Sequence, residues 1–161
     1  MRVLSLNNDF TGEETDFVNS AREISETGRP VFYQNEQQSV VIALWHPPMY
    51  IFLLGGVFKI SGVSEISARM INILFSLFST ILIYLFCLKI IGGKKGKIIG
   101  LVASAFFLIN YYVLSSSVLI DIDGLSTFFV LLFVYSVLRY SQTKKKYYLF
   151  LSSVAFFFSL A

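Results

Sequence analysis

The strongest constraint on this chain is a pair of apolar segments, residues 66–91 and 98–120, separated by a short turn rich in glycine and lysine. A membrane-spanning helix needs about 20 apolar residues, with a range near 17–25. Both segments meet that length. Two further apolar segments follow at 124–140 and 147–161, the last still apolar where the sequence stops. Only 14% of residues are charged and 55% are hydrophobic, whereas soluble domains carry about 25% charged residues. The expected fold class is therefore an all-α membrane protein of multi-pass transmembrane helices. The net charge of +3 leaves no nucleic-acid footprint. Cys87 is the single cysteine and cannot form an intrachain disulfide.

The first 64 residues read differently. Residues 1–38 are polar and include Asp9, Glu13, Glu14, Asp16, Glu23 and Glu26. From Glu13 to Thr27, Phe17, Ala21 and Ile24 recur at helical spacing, which predicts a short amphipathic helix ended by Gly28-Arg29-Pro30. Residues 31–38 read as a connector. His46-Pro47-Pro48 then opens a helix over 49–60, because proline is tolerated in a first helical turn. That helix is about 18 Å long at 1.5 Å per residue, too short for a 30 Å hydrocarbon core. It reads as a juxtamembrane helix, with Trp45 and Tyr50 in the interfacial belt.

Charge sets the expected topology. Lys89, Lys94, Lys95 and Lys97 flank one turn; Arg139, Lys144, Lys145 and Lys146 flank another. These hold eight of the 13 basic residues and none of the 10 acids. The positive-inside rule makes both turns cytoplasmic. Residues 1–64 then form an extracytoplasmic first loop, 65–161 form the transmembrane part, and all ten acids fall outside.

Asp121 and Asp123 sit in a break between two apolar runs. An acid in or beside a membrane segment is a functional-site candidate by default. The structural alternative is that Asp123 caps the helix beginning at Gly124; it leaves Asp121 unexplained. Gly92-Gly93-Lys94-Lys95-Gly96-Lys97 lacks the phosphate-loop spacing and reads as a cytoplasmic turn. One histidine cannot build a zinc site. No cofactor is required by the sequence, though carboxylate-bound Mg²⁺ or Mn²⁺ is compatible with it.

In order, the chain carries an acidic pair, a short amphipathic helix, then HPPMYIFLLGGVFKISGVSEISARM, a basic turn and IDIDGLSTFF. This resembles the N-terminal catalytic part of GT-C membrane glycosyltransferases, nearest the protein O-mannosyltransferase and lipid A aminoarabinose transferase superfamily. The resemblance spans residues 10–140. It implies transfer of a sugar from a polyprenyl-phosphate-linked donor to an acceptor on the outer face of the cell membrane. Glu13-Glu14 occupies the place of the family's acid pair, whose first member acts as general base. Asp123 matches the family's second acid and Asp121 is an additional one, a candidate metal or acceptor ligand. His46 takes the position of a donor-phosphate contact, and Arg69 is a second candidate for that contact. Residues 1–6 are only a remnant of the family's first spanning helix, and the family's later helices are absent, so a fragment or truncated reading frame is expected.

Two other readings stand beside this one. The chain could be a small transporter or assembly subunit with the acids as ion sites, or an inactive truncated glycosyltransferase. Depth discriminates the first, since transport acids sit near the bilayer midplane.

Overall fold

The structure is a computed structural model that describes residues 13–29, 31–34, 39–42 and 48–160. The described chain is helical apart from one two-stranded hairpin. Its elements run α1 (Glu13–Thr27), β1 (Val31–Gln34), β2 (Ser39–Ile42), α2 (Pro48–Ser61), α3 (Glu65–Ile91), α4 (Gly93–Ile109), α5 (Tyr111–Val118), α6 (Asp123–Thr143) and α7 (Lys146–Ser159). Two helices, α3 and α6, are long and apolar enough to cross a membrane; α4 and α5 together make a bent third. The fold class is that of an all-α membrane protein, as the apolar segments imply.

Three boundaries differ from the sequence reading. The first four connector residues, Val31–Gln34, pair antiparallel with Ser39–Ile42, Val31 opposite Ile42 and Gln34 opposite Ser39, while residues 35–38 lie outside the described ones. The β-branched and aromatic residues on both sides are the signal for it. α4 begins at Gly93, so Lys94, Lys95 and Lys97 are helical rather than in a turn. The segment 98–120 is not one straight span. It breaks at Asn110, bends by 61°, and restarts with the Asn110 side chain accepting a hydrogen bond from the Tyr112 N–H at 3.0 Å.

α3 starts where local chemistry dictates. Gly62 adopts φ +80° after α2, a conformation that side chains other than glycine resist. Ser64 then caps α3: its hydroxyl accepts from the Ser67 N–H, while the Ser67 hydroxyl accepts from the Ser64 N–H, both at 3.1 Å. Lower down, α3 packs on α4 through small residues. A Cβ at Gly100 would lie 2.9 Å from the Tyr84 ring and 3.1 Å from its backbone oxygen, so only glycine lets these backbones approach so closely. One turn on, the Ser104 hydroxyl donates to the Thr80 carbonyl of α3 at 3.1 Å. The α6–α7 pair likewise buries Ser136, Ser152 and Ala155.

The principal core lies at one end of the bundle, not along it. Phe17, Val18 and Ala21 of α1 meet Tyr50, Ile51, Leu54 and Phe58 of α2, with Ala68 and Ile71 of α3, Ile120 of the α5–α6 turn and Leu125 of α6. α2 crosses α1 at Gly55, where a Cβ would come within 2.8 Å of the Ile24 side chain. Together α1 and α2 cover the start of α3 and the α5–α6 turn. Tyr50 is fully buried, which corrects its placement in an interfacial belt. Its ring lies edge-on to Phe17, with centroids 5.6 Å apart and planes at 87°. Trp45 lies outside the described residues.

Candidate functional site

The α5–α6 turn carries Asp121 and Asp123, and two buried side chains from distant elements hold it. Asn72 of α3 has no exposed surface. Its amide donates to the carbonyls of Leu119 at 2.6 Å and Asp121 at 2.9 Å, with a longer contact of 3.3 Å to Ser116. An amide has two hydrogens, so the two short bonds use both. They satisfy the carbonyls of the α5 C-cap and of the turn that follows it, which have no helical partners. From the other side, Glu14 Oε1 accepts the Ile120 N–H at 3.0 Å. The amide thus serves the turn's acceptors and the carboxylate serves its donor.

Glu14 is itself buried against Arg69, with Oε2 3.7 Å from the guanidinium Nη2. An ion pair taken out of water is held only by good geometry and further bonds; the Ile120 N–H supplies one. The acid of α1, the arginine of α3 and the backbone of the turn therefore form a single unit under the α1–α2 cover. Tyr50 packs beside it. Burial, with Asp121 and Glu14 nearby, pushes its phenol well above the ordinary range. Its hydroxyl and the Asn72 Oδ1 are both buried without a hydrogen-bond partner among the described residues.

The structure gives the capping bond at the start of α6 to Asp121 and not to Asp123, for which the sequence offered it as the structural alternative. Asp123 does not cap α6, which begins with Asp123 itself and has no side-chain cap bond from the residue before it. Asp121 does the capping: its Oδ1 accepts the Asp123 N–H at 3.0 Å. Burial first, and then the neighbouring Asp123 charge, raises the Asp121 pKa from 3.8 to about 6; the N–H groups of Asp123 and Gly124 and the Ser116 hydroxyl pull it back down. Asp123 is exposed, and its carboxylate is left at the rim of a cleft.

That cleft of about 260 Å³ lies between α3, the α4–α5 bend and the first turn of α6. Ser76, Ser79, Tyr112, Ser116, Asp123, Ser126 and Thr127 give it polar groups, and Phe107 adds an aromatic wall.

Of the sequence candidates, the structure brings together Glu14, Arg69 and the Asp121–Asp123 turn. Glu13 is the first residue of α1, adjacent in sequence to the anchored Glu14. His46 lies outside the described residues. Among the described residues, no group of three or more His, Cys, Asp or Glu comes together to hold a metal ion. Sequence reasoning missed Asn72 and Tyr50. The available signal was Asn72 itself, an amide in an otherwise apolar part of α3, since a polar group in such a segment needs partners.

A helical membrane bundle capped at one end, with acids in the turn beneath the cap, defines the class. The dolichyl-phosphate-mannose-protein mannosyltransferase family matches residues 45–160, and the chain belongs to that family of membrane glycosyltransferases. An uncharacterized protein of Aquifex aeolicus is 28% identical over 158 residues, which cover 94% of this chain and 29% of the relative. The chain thus spans under a third of that relative's length. No solved structure matches it.

Proposed function

We propose that this chain supplies the acid-bearing end of a GT-C membrane glycosyltransferase that moves a sugar from a polyprenyl-phosphate-linked donor to an acceptor hydroxyl. The observation that carries the proposal is the division of labour in the α5–α6 turn. Asp121 spends its carboxylate on the backbone, which leaves the exposed Asp123 carboxylate for chemistry. The acids stand at the capped end of the helices, whereas transport acids stand at mid-span. Family membership supports the reaction class.

In this reading an acceptor hydroxyl attacks the anomeric carbon as the bond from that carbon to the phosphate oxygen breaks. A carboxylate takes the hydroxyl proton, and the polyprenyl phosphate leaves with the bonding electrons. Glu13 and Asp123 are the residues assigned to contact the reacting groups. Glu14 and Arg69 are positioning residues, because Glu14 engages both the Arg69 guanidinium and the Ile120 N–H of the turn. His46 keeps its assignment to the donor phosphate. Among the described residues of the turn, the Asp121 and Asp123 carboxylates are the groups that a Mg²⁺ or Mn²⁺ ion would meet. The positive-inside rule, applied to the two basic regions, supports an outer-face position for the capped end.

The test is transfer from a polyprenyl-phosphate-linked sugar in membranes of cells with substitutions at the chromosomal locus. Glu13→Gln should lower turnover by about 10²–10⁴-fold, the usual worth of general base catalysis, with donor binding retained, and Asp123→Asn should also lower turnover. Asp121→Asn should keep most activity, because asparagine caps a helix well. Near-normal transfer by Asp123→Asn removes that residue from the mechanism.

A further inference from the structure

The end of the bundle away from the acids carries charge of one sign only. Residues 66–120 and 124–161 contain no Asp or Glu. The acids of α3 and α6, Glu65 and Asp123, are the first residues of their helices, at the far ends. The α3–α4 turn and its flanks bring Lys89, Lys94, Lys95 and Lys97 to the basic end; the α6–α7 turn and its flanks bring Arg139 and Lys144 to Lys146. All seven of these lysines are exposed.

The two turns form one surface, because α3 packs against α6. The Arg139 guanidinium donates to the Tyr148 hydroxyl at 3.2 Å and to Gln142 Oε1 at 3.3 Å. The Gln142 amide in turn reaches across to the Lys89 carbonyl at 3.4 Å. Arg139 is thus held by neutral partners, and its charge is not cancelled. Like charges gathered in this way repel one another unless a counter-charge joins them. The helix ends sharpen the mismatch. α4 and α7 start here with no side-chain cap and no acid in the first turn, so their positive dipole ends stand among lysines.

We propose that this surface binds an anionic phospholipid with two phosphates, one over each turn, from the leaflet that the basic end faces. A phosphate on one turn alone would leave the four cations of the other unmatched, whereas a second phosphate on the same molecule binds intramolecularly. The neighbouring side chains favour a lipid over a soluble anion. Ile90, Ile91, Ile98, Ile99, Leu149 and Phe150 are exposed beside the lysines, where acyl chains would lie against them. Tyr140 and Tyr147 add aromatic rings at the level of the headgroups. The surface is at the opposite end from Asp121 and Asp123, and the inference does not depend on the transferase reading.

Native mass spectrometry of the full chain in a neutral detergent tests it. Diphosphatidylglycerol, phosphatidylglycerol and phosphatidylcholine with the same acyl chains are titrated in turn. One diphosphatidylglycerol per chain should be retained, with a Kd about 10²-fold below that of phosphatidylglycerol, and phosphatidylcholine should show no saturable binding. Lys94→Gln with Lys95→Gln, and separately Lys145→Gln with Lys146→Gln, should each raise that Kd about 25-fold, at about fivefold per lysine. Arg22→Gln with Lys59→Gln removes the same charge from exposed positions of α1 and α2 and should leave the Kd unchanged. An equal loss in that control would mean diffuse attraction by net charge. Equal Kd values for the one- and two-phosphate lipids would mean that no ligand spans the turns. Displacement by inorganic pyrophosphate at the same concentration as the lipid would make this a site for soluble phosphates. Each of these results, or retention of no lipid at all, overturns the proposal.

Discussion

The two ends of the bundle solve the same problem, reversing the chain between helices, in opposite ways. At the basic end the turns close on themselves. Gly92 and Gly93 take φ +72° and +55°, Lys144 takes φ +55°, and the closing bonds are local, from Gly92 N–H to Leu88 O and from Lys144 N–H to Tyr140 O. The bond between the two turns, from Gln142 to the Lys89 carbonyl, is long at 3.4 Å. At the capped end the α5–α6 turn is held by Asn72 and by Glu14, residues far away in sequence. A turn fixed by its own backbone can form wherever glycine or a left-handed residue allows. A turn fixed by a buried amide and a buried carboxylate forms only when α1, α3 and α6 are all in place. The acids assigned to chemistry are on the second kind, so their geometry depends on the complete fold.

The largest effect should come from breaking the buried pair at the capped end. Arg69→Met leaves the Glu14 carboxylate buried beside an apolar side chain, and loss of one partner of such a pair costs about 3–5 kcal/mol. Thermal unfolding in detergent measures it. Adding Glu14→Gln, which retains an acceptor for the Ile120 N–H, should recover much of the loss, since no buried charge remains. A double variant as unstable as the single one would show that the pair is not the source of the loss.

Asn72→Leu should come next. It deprives the Leu119 and Asp121 carbonyls of their donors while filling a similar volume. Buried acceptors left unsatisfied cost about 1–3 kcal/mol, read again as a lowered unfolding midpoint. A midpoint equal to that of the unsubstituted chain would mean that α5 and the turn hold themselves, as the basic end does.

The smallest effect concerns Asp121 and has a sign fixed by its pKa. The folded-state value, about 6, lies above the ordinary 3.8, so folding disfavours the charged form. That penalty is fully present above about pH 6 and disappears as the pH falls toward 3.8. Asp121→Asn keeps the capping oxygen and removes the charge. It should therefore raise the unfolding midpoint slightly at pH 7.5 and leave it unchanged near pH 4. A lowered midpoint at pH 7.5 would show that the Asp121 charge supports the turn.

Much of the architecture was legible because the apolar runs carry it. The length of α3, the position of α6 (which runs to Thr143, three residues past its apolar stretch), the separate status of α2, and the amphipathic α1 follow from hydrophobic spacing. The break at Asn110 was not legible: hydropathy is insensitive to one amide between apolar stretches, and the bend depends on Asn110 accepting from Tyr112. The β1–β2 pair was hidden because each strand is only four residues long. The acids of the site could be found from their cost in a membrane protein, but their roles could not. Asp121 and Asp123 differ by two positions, and which one caps depends on where α6 begins, the least certain feature of any helix read from sequence. Asn72 could be flagged as an amide in an apolar run, but its partners, the carbonyls of Leu119 and Asp121, are brought to it only by tertiary packing.

Glu14 and Asn72 pin the α5–α6 turn, and amide hydrogen exchange at Ile120 reads that pinning at the bonded N–H itself. In the unsubstituted chain the Ile120 N–H, bound to Glu14 Oε1 in a buried setting, should exchange slowly. In Glu14→Ala it should lose that protection, together with its neighbours in the turn, while amides of the α6–α7 turn keep their rates. Unchanged protection at Ile120 in Glu14→Ala would show that Glu14 does not hold the turn.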